Sequence, residues 1–295
     1  MLTLEILAEV GSIHQGELET GVKQFAVGPS RVLMGGKHQL MGVINLSPDS
    51  WYRESVCANS TKAIERGRIL AAQGAAIVDV GTESTIPGAA LIDEGVQLEE
   101  VLPVIKGLSE SGVAVSIETY NAKTAARSLE AGAAVINLTG PGEASGIYAE
   151  VARADAAVVI CFVAGENVRK VESLKLEEDP MPMFEDYFSR QLAKAEAEGV
   201  QKIFIDPGLG FYYQNLNDGE ERVRYQMKVF LNTFRLRKLG WPICHALPHA
   251  FDFFQDEVRS AEPFFAVLAA LGKTSLFRTH EVSRVKAVLD TLAAY

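Results

Sequence analysis

Only three cysteines occur in the 295 residues, Cys57, Cys161 and Cys244, and none belongs to a CxxC pair. An odd, scattered set excludes a disulfide framework and fits a reducing cytoplasm, which is the expected location. No uncharged apolar run reaches ~18 residues, so no membrane-crossing helix and no membrane partner are expected. The first residues, Met-Leu-Thr-Leu-Glu-Ile, put no basic stretch before an apolar core, so no secretory leader is expected there. Positive charge is scarce: 28 Lys and Arg against 38 Asp and Glu leave a net charge of −10. That balance argues against a nucleic-acid partner, while a small anion in one local basic pocket stays compatible. No GxGxxG turn follows the first predicted strand, which disfavours an open dinucleotide-binding sheet.

What the chain does have is repetition of one unit. Apolar runs of strand length fall at 40–45, 76–80, 113–118, 134–137, 156–162, 202–206, 241–245 and 274–278. They are continuous rather than alternating, as parallel strands covered on their outer face by helices are. Helical segments are expected at about 60–73, 92–110 and 122–131, with Gly74, Gly112 and Gly132 placed to close them. Eight strand–helix units in one α/β chain predict a single (β/α)8 TIM barrel over 40–295. Residues 1–39 read as an extension of short extended pieces with turns at Gly11-Ser12, Gly28-Pro29 and Gly35-Gly36, and a hairpin capping the barrel floor is expected there. The polar stretch 163–183, with Pro180 and Pro182, reads as an enlarged loop after the fifth strand.

In such a barrel the C-terminal strand ends carry the chemistry. In order they are Asn45, Asp79, Glu118, Asn137, Asp206, His245 and Arg278, with His280 two residues on. Any one of them alone is an ordinary return to solvent. Together they describe a mouth suited to a flat heterocycle, because a carboxylate makes two parallel hydrogen bonds to a ring N–H and its neighbouring amino group. Arg278 and His280 close the eighth strand, where this fold commonly holds phosphate; a salt bridge across the rim is the other reading of that pair. His245 and His249 are four apart, but Pro248 between them opposes the helix that would align them on a metal. Cys244 reads as a buried, inert thiol.

The residues then resemble a known family. Residues 41–50 read Met-Gly-Val-Ile-Asn-Leu-Ser-Pro-Asp-Ser, 80–88 Val-Gly-Thr-Glu-Ser-Thr-Ile-Pro-Gly, and 204–211 Phe-Ile-Asp-Pro-Gly-Leu-Gly-Phe. With Arg278-x-His280 these resemble dihydropteroate synthase, from about residue 40 onward and in family order. The resemblance implies a TIM barrel that joins 7,8-dihydropterin-6-ylmethyl pyrophosphate to para-aminobenzoate and releases pyrophosphate. It implies that Asp206 holds the amino-pyrimidine edge of the pterin, that Asn137 bonds the same ring, and that Asn45 sits beside the pyrophosphate and its Mg²⁺. Arg278 and His280 would bind the pyrophosphate, stabilising the leaving group's growing charge. It also implies a homodimer through late helices, where 262–271 and 282–292 carry apolar faces.

Departures fall at working positions. The third strand ends Glu118-Thr-Tyr where the family has Asp-Thr-Tyr, so the carboxylate survives on a stem one methylene longer. Ile86 replaces a loop arginine, Leu138 replaces the Asp of an Asn-Asp pair, and the first loop continues Trp-Tyr-Arg-Glu-Ser, with Arg53 in it. The family's Ser-Arg-Lys after strand seven gives way to His-Ala-Leu-Pro-His, with His249 at about the lysine position. Pterin-side groups are thus retained and acceptor-side groups replaced. Two readings follow: a transferase of the synthase type, for para-aminobenzoate or another amine, and a paralog that binds a pterin without turnover. The pterin domain of corrinoid-linked methyltransferases shares the barrel, but the Asn-x-Ser-Pro-Asp-Ser loop and the Arg-x-His ending argue against it.

Overall fold

The computed structural model describes residues 1–47, 55–81, 94–211, 213 and 215–295. Arg53 and Ile86 lie outside these residues, as do parts of the first two motif loops.

Two helices, α1 (Leu4–Ile13) and α2 (Gln15–Glu19), precede a hairpin of β1 (Phe25–Val27) and β2 (Val32–Met34). The barrel then runs β3 (Gln39–Asn45), α3 (Ser60–Ala72), β4 (Ile77–Gly81), α4 (Glu94–Ser109), β5 (Ala114–Thr119), α5 (Ala122–Glu130), β6 (Val135–Leu138), α6 (Ala144–Arg153) and β7 (Ala157–Cys161). A short hairpin, β8 (Gly165–Asn167) and β9 (Lys170–Val171), leads into α7 (Met181–Ala197) and β10 (Ile203–Asp206). The chain ends with α8 (Gly219–Asn232), β11 (Cys244–Ala246), α9 (Phe251–Phe254), α10 (Ala261–Leu271), β12 (Leu276–Thr279) and α11 (Val282–Ala293).

Eight parallel strands lie in the order β10-β7-β6-β5-β4-β3-β12-β11. A parallel bridge between Ile205 and Ile243 joins the two outer strands, so the sheet is a nearly closed barrel. Strand β11 is shorter than its predicted run of 241–245, because Pro242 has no N–H to give the ladder.

The strands bury both faces, as their unbroken apolar runs require. One parity, with Val78, Val115, Ile136, Ile160, Ile205 and Phe277, packs outward against the helices. The other, with Met41, Ile77, Ala114, Val135, Val159, Phe204 and Leu276, fills the barrel's interior. Val27 and Met34 of the first hairpin join that interior cluster beside strand-starting residues such as Ile77, Ala114 and Leu276. The hairpin therefore closes the floor, as expected. Gly28 makes this approach possible: at φ +72° a Cβ there would stand 2.4 Å from the Cβ of Ala114.

The reading of 1–39 as extended pieces is wrong for its first half. Residues 4–19 are helical, and the Thr3 hydroxyl accepts from the Ile6 N–H to start α1. Gly11, read as a turn, sits inside that helix, where a glycine costs only about 1 kcal/mol. The region 163–183 is only partly a loop, since it contains β8 and β9 and the start of α7. No helix among the described residues is long and apolar enough to cross a membrane.

Candidate active site

Interior parity sets which polar groups meet at the mouth. Counting back by twos from the strand tips, Asp79 follows Ile77, Glu118 follows Ala114 and Ser116, Asn137 follows Val135, and Arg278 follows Leu276, all on the inner face. Arg278 reaches across the barrel: Nε donates to Asp79 Oδ2 at 2.7 Å, and Nη2 donates to Glu118 Oε2 at 2.5 Å. Asn137 Nδ2 donates to the same Asp79 oxygen at 3.1 Å, and its Oδ1 accepts from the Cys161 thiol at 3.2 Å. Asp206 Oδ1 accepts from the Gly208 N–H at 2.7 Å. Glu118, Asn137, Asp206 and Arg278 line one cleft of about 370 Å³ with Cys161, Gly208 and Phe211. Four of the seven sequence-predicted site residues thus share a single cavity.

Electrostatics there are dominated by burial. Asp206 is 3% exposed, and desolvation pushes its pKa up to about 6 despite the Gly208 N–H and the Arg278 charge. Burial opposes the charge on Arg278, but the Asp79 and Glu118 carboxylates overcome it and hold the guanidinium protonated. Burial lifts the thiols of Cys161 and Cys244 well above their ordinary value, so neither is a thiolate nucleophile at neutral pH.

Asn45 ends β3 on the inner face, and its Nδ2 donates to Ser55 Oγ at 2.6 Å. A Cβ on neighbouring Gly81 would lie 3.2 Å from Asn45 Oδ1 and 3.8 Å from Glu118 Oε2. That side chain's absence leaves a cradle bordered by two oxygens, which is the donor type a hard cation such as Mg²⁺ takes.

One histidine expectation is changed by the structure. His245 is not at the mouth: it lies between inward-facing Cys244 and Ala246, so it points outward and packs 4.6 Å from the Phe230 ring. Burial lowers its pKa to about 3, and it is a neutral core residue. His249 and His280 turn toward Glu262, at the start of α10. His280 Nδ1 lies 2.8 Å and His249 Nε2 3.3 Å from Glu262 Oε1, and the two rings are 5.0 Å apart.

Asp79, Cys161 and Glu262 carry this network without having been given roles. The first two were open to detection by strand parity, which puts them in phase with Glu118 and Asp206. Glu262 had a weaker signal, as the lone charge in the otherwise apolar segment Ala-Glu-Pro-Phe-Phe-Ala-Val-Leu.

Fold and cleft together define a parallel α/β barrel protein whose mouth gathers carboxylate, amide and guanidinium groups. The pterin binding enzyme family model matches residues 41–247. The chain is 30% identical over 266 residues to dihydropteroate synthase of Mycobacterium leprae, covering 87% of this chain and 93% of that one. It is also 30% identical over 217 residues to the Streptococcus pyogenes serotype M6 synthase, covering 72% and 76%. The crystal structure of dihydropteroate synthase from Clostridium difficile, obtained in the presence of pteroic acid, superposes with a TM-score of 0.73 at 26% identity, covering 88% and 97%. The chain belongs to the pterin-binding enzyme family and is homologous to the dihydropteroate synthase transferases.

Proposed function

We propose that this protein binds a 7,8-dihydropterin-6-ylmethyl pyrophosphate in the cleft and transfers its pterinylmethyl group to an amine. The observation that carries the reading is the pairing of the Asp206 carboxylate with Asn137 in one buried cavity. An ionised Asp206 accepts from the ring N–H and the exocyclic amino group together, and the Asn137 amide reads the same ring. The amine nitrogen attacks the methylene carbon, the C–O bond to pyrophosphate breaks, and the amine loses a proton. No nucleophilic side chain is needed. Arg278 stands at the end of the eighth strand, where its positive charge stabilises the departing pyrophosphate more than the bound substrate, and His280, whose pKa burial lowers, would reach the same anion as a neutral ring. Mg²⁺, when bound with the substrate, supplies further charge neutralisation, and Asn45 Oδ1 would be its protein ligand.

The alternative, a pterin-binding paralog without turnover, is favoured by one observation. His249, at the position of the family's acceptor-side lysine, is engaged with Glu262. Calorimetry with a pterin ligand, followed by a pyrophosphate-release assay with para-aminobenzoate and other arylamines, separates the two readings. Binding with release supports the transferase, binding without release supports the paralog, and absence of binding rejects both.

We further propose division into a 1–39 extension and a 40–295 barrel, a cytoplasmic location consistent with three buried free thiols, and a homodimer. Exposed Phe264, Leu271 and Leu292 on α10 and α11 support the dimer, because they form apolar surface on adjacent late helices. A sedimenting species of 32.0 kDa at high protein concentration would reject it.

A further inference from the structure

We propose that His249, Glu262 and His280 form a site for a first-row divalent metal ion, of which Zn²⁺ is the natural occupant. This site is separate from the Mg²⁺ that would accompany a pyrophosphate at Asn45, and the inference does not depend on the pterin reading. The three side chains come from three segments: the turn after β11, the first turn of α10, and the residue after β12. Each presents one ligand atom, and these atoms all lie within 4.8 Å of one another. Two imidazole nitrogens and one carboxylate oxygen make a donor set that Zn²⁺ uses when three protein ligands leave a fourth position open.

The carboxylate is held for this task. Glu262 is 1% exposed, and its Oε2 accepts from the Thr279 hydroxyl, the His280 N–H at 2.9 Å and the Glu281 N–H at 3.1 Å. Those bonds fix the group's orientation, as the outer partners of a metal-binding carboxylate do. They leave Oε1 facing the two rings, 2.8 Å from His280 Nδ1 and 3.3 Å from His249 Nε2. Neighbouring ligand atoms around a tetrahedral ion at ~2.0–2.1 Å stand about 3.3 Å apart, so small ring movements suffice to admit one. The histidine side chains are 15% and 12% exposed, enough for an ion to enter.

The ion would also set the chemistry of His280. With Nδ1 donating its proton to Glu262, a neutral ring has only a lone pair at Nε2. With Nδ1 on the metal, Nε2 carries the proton and becomes a donor suited to an anion. A metal therefore turns His280 from an acceptor into a phosphate-binding group without requiring an imidazolium.

The test uses untagged full-length protein, stripped with a chelator and titrated with Zn²⁺ alone, with Co²⁺ as a spectroscopic probe. The expected result is one Zn²⁺ per chain, and visible Co²⁺ bands of four- or five-coordinate intensity that Zn²⁺ abolishes. His249→Ala should weaken Zn²⁺ binding by ~100-fold or more. It removes a side chain from a turn and leaves Glu262 bonded to the Thr279 hydroxyl and to the backbone N–H groups of His280 and Glu281. Weak Zn²⁺ uptake that is equal in wild type and His249→Ala would overturn the proposal. So would a wild-type Co²⁺ spectrum of the hexa-aquo type, whatever the variant does.

Discussion

Arg278 donates from Nε to Asp79 across the barrel mouth at 2.7 Å, joining the eighth barrel strand to the second. Asp79 is fully buried and shares the same oxygen with Asn137, so the cleft floor is one charged network rather than separate ligand groups. Removing the guanidinium would leave the Asp79 and Glu118 carboxylates without their shared cation in a low-dielectric interior. Arg278→Met should therefore lower unfolding free energy by ~3–5 kcal/mol, read from urea melts. A loss under ~1 kcal/mol would show that the pair is screened and that Arg278 is held for ligand alone.

Asp206 should behave in the opposite way. Its raised pKa means that the native state disfavours the ionised form, so stability falls as pH rises from about 4 to about 6 and stays lowered above that. Asp206→Asn removes the buried charge but keeps an acceptor for the Gly208 N–H. It should raise stability at pH 7.5 by ~1–3 kcal/mol while abolishing pterin binding, because an amide cannot accept both ring hydrogen bonds. A destabilised variant in thermal melts, or one that still binds a pterin in calorimetry, would contradict this assignment.

The same carboxylate predicts how affinity follows pH. In the proposed function pterin recognition needs ionised Asp206, whose pKa burial raises to about 6. Affinity should be flat above pH 7 and fall by up to ~10-fold per unit below 6, after correction for the ligand's own titration. A profile unchanged down to pH 5 would place the recognition elsewhere.

Much of this arrangement is legible in the chain itself. Apolar runs located all eight barrel strands to within a few residues, since a strand buried on both faces has no other composition open to it. Parity within each run then separates inward Asp79 and Asp206 from outward His245, although reading strand ends as a group hides that distinction. Helix α1 escaped because Gly11-Ser12 imitates a turn and none of its residues is buried, so no apolar stripe marks it. The Glu262 cluster was only faintly marked, by one charge in an apolar segment, for another reason. His249, Glu262 and His280 are brought together only by how α10 docks against the ends of β11 and β12, and no local pattern encodes that docking.

Backbone geometry at Gly208 gives a further test. Its φ is +74°, and a Cβ would stand 2.2 Å from the carbonyl oxygen of Phe162. Its N–H is also the partner of Asp206 Oδ1. Gly208→Ala must move the loop, lose that bond and strain the backbone, lowering stability by ~1–3 kcal/mol. Pterin affinity should fall with it, since Asp206 loses its orienting donor. Wild-type affinity in Gly208→Ala would show that the loop adapts and that Asp206 is positioned by other contacts.

Turnover is where this chain should differ most from its relatives. The groups proposed for the pterin are gathered in one cleft, whereas Ile86 stands where the family has an arginine and His249 is engaged with Glu262. Losing one charge-assisted contact to a transition state lowers the rate by ~10²–10³. Two such losses should leave condensation with para-aminobenzoate weak or absent while the pterin still binds. Restoring both groups tests the cause: Ile86→Arg combined with His249→Lys should raise pyrophosphate release above either single change, because each cation acts on the same developing charge. Lysine at 249 can also pair with Glu262, so each variant's pterin affinity must be measured alongside its rate. Wild-type turnover at the level of an ordinary synthase would show that another group supplies the missing charge and would return the protein to the plain synthase reading. Pterin binding without any gain in the double variant would instead indicate that the acceptor is not an aminobenzoate, and other arylamines would then be compared under the same assay.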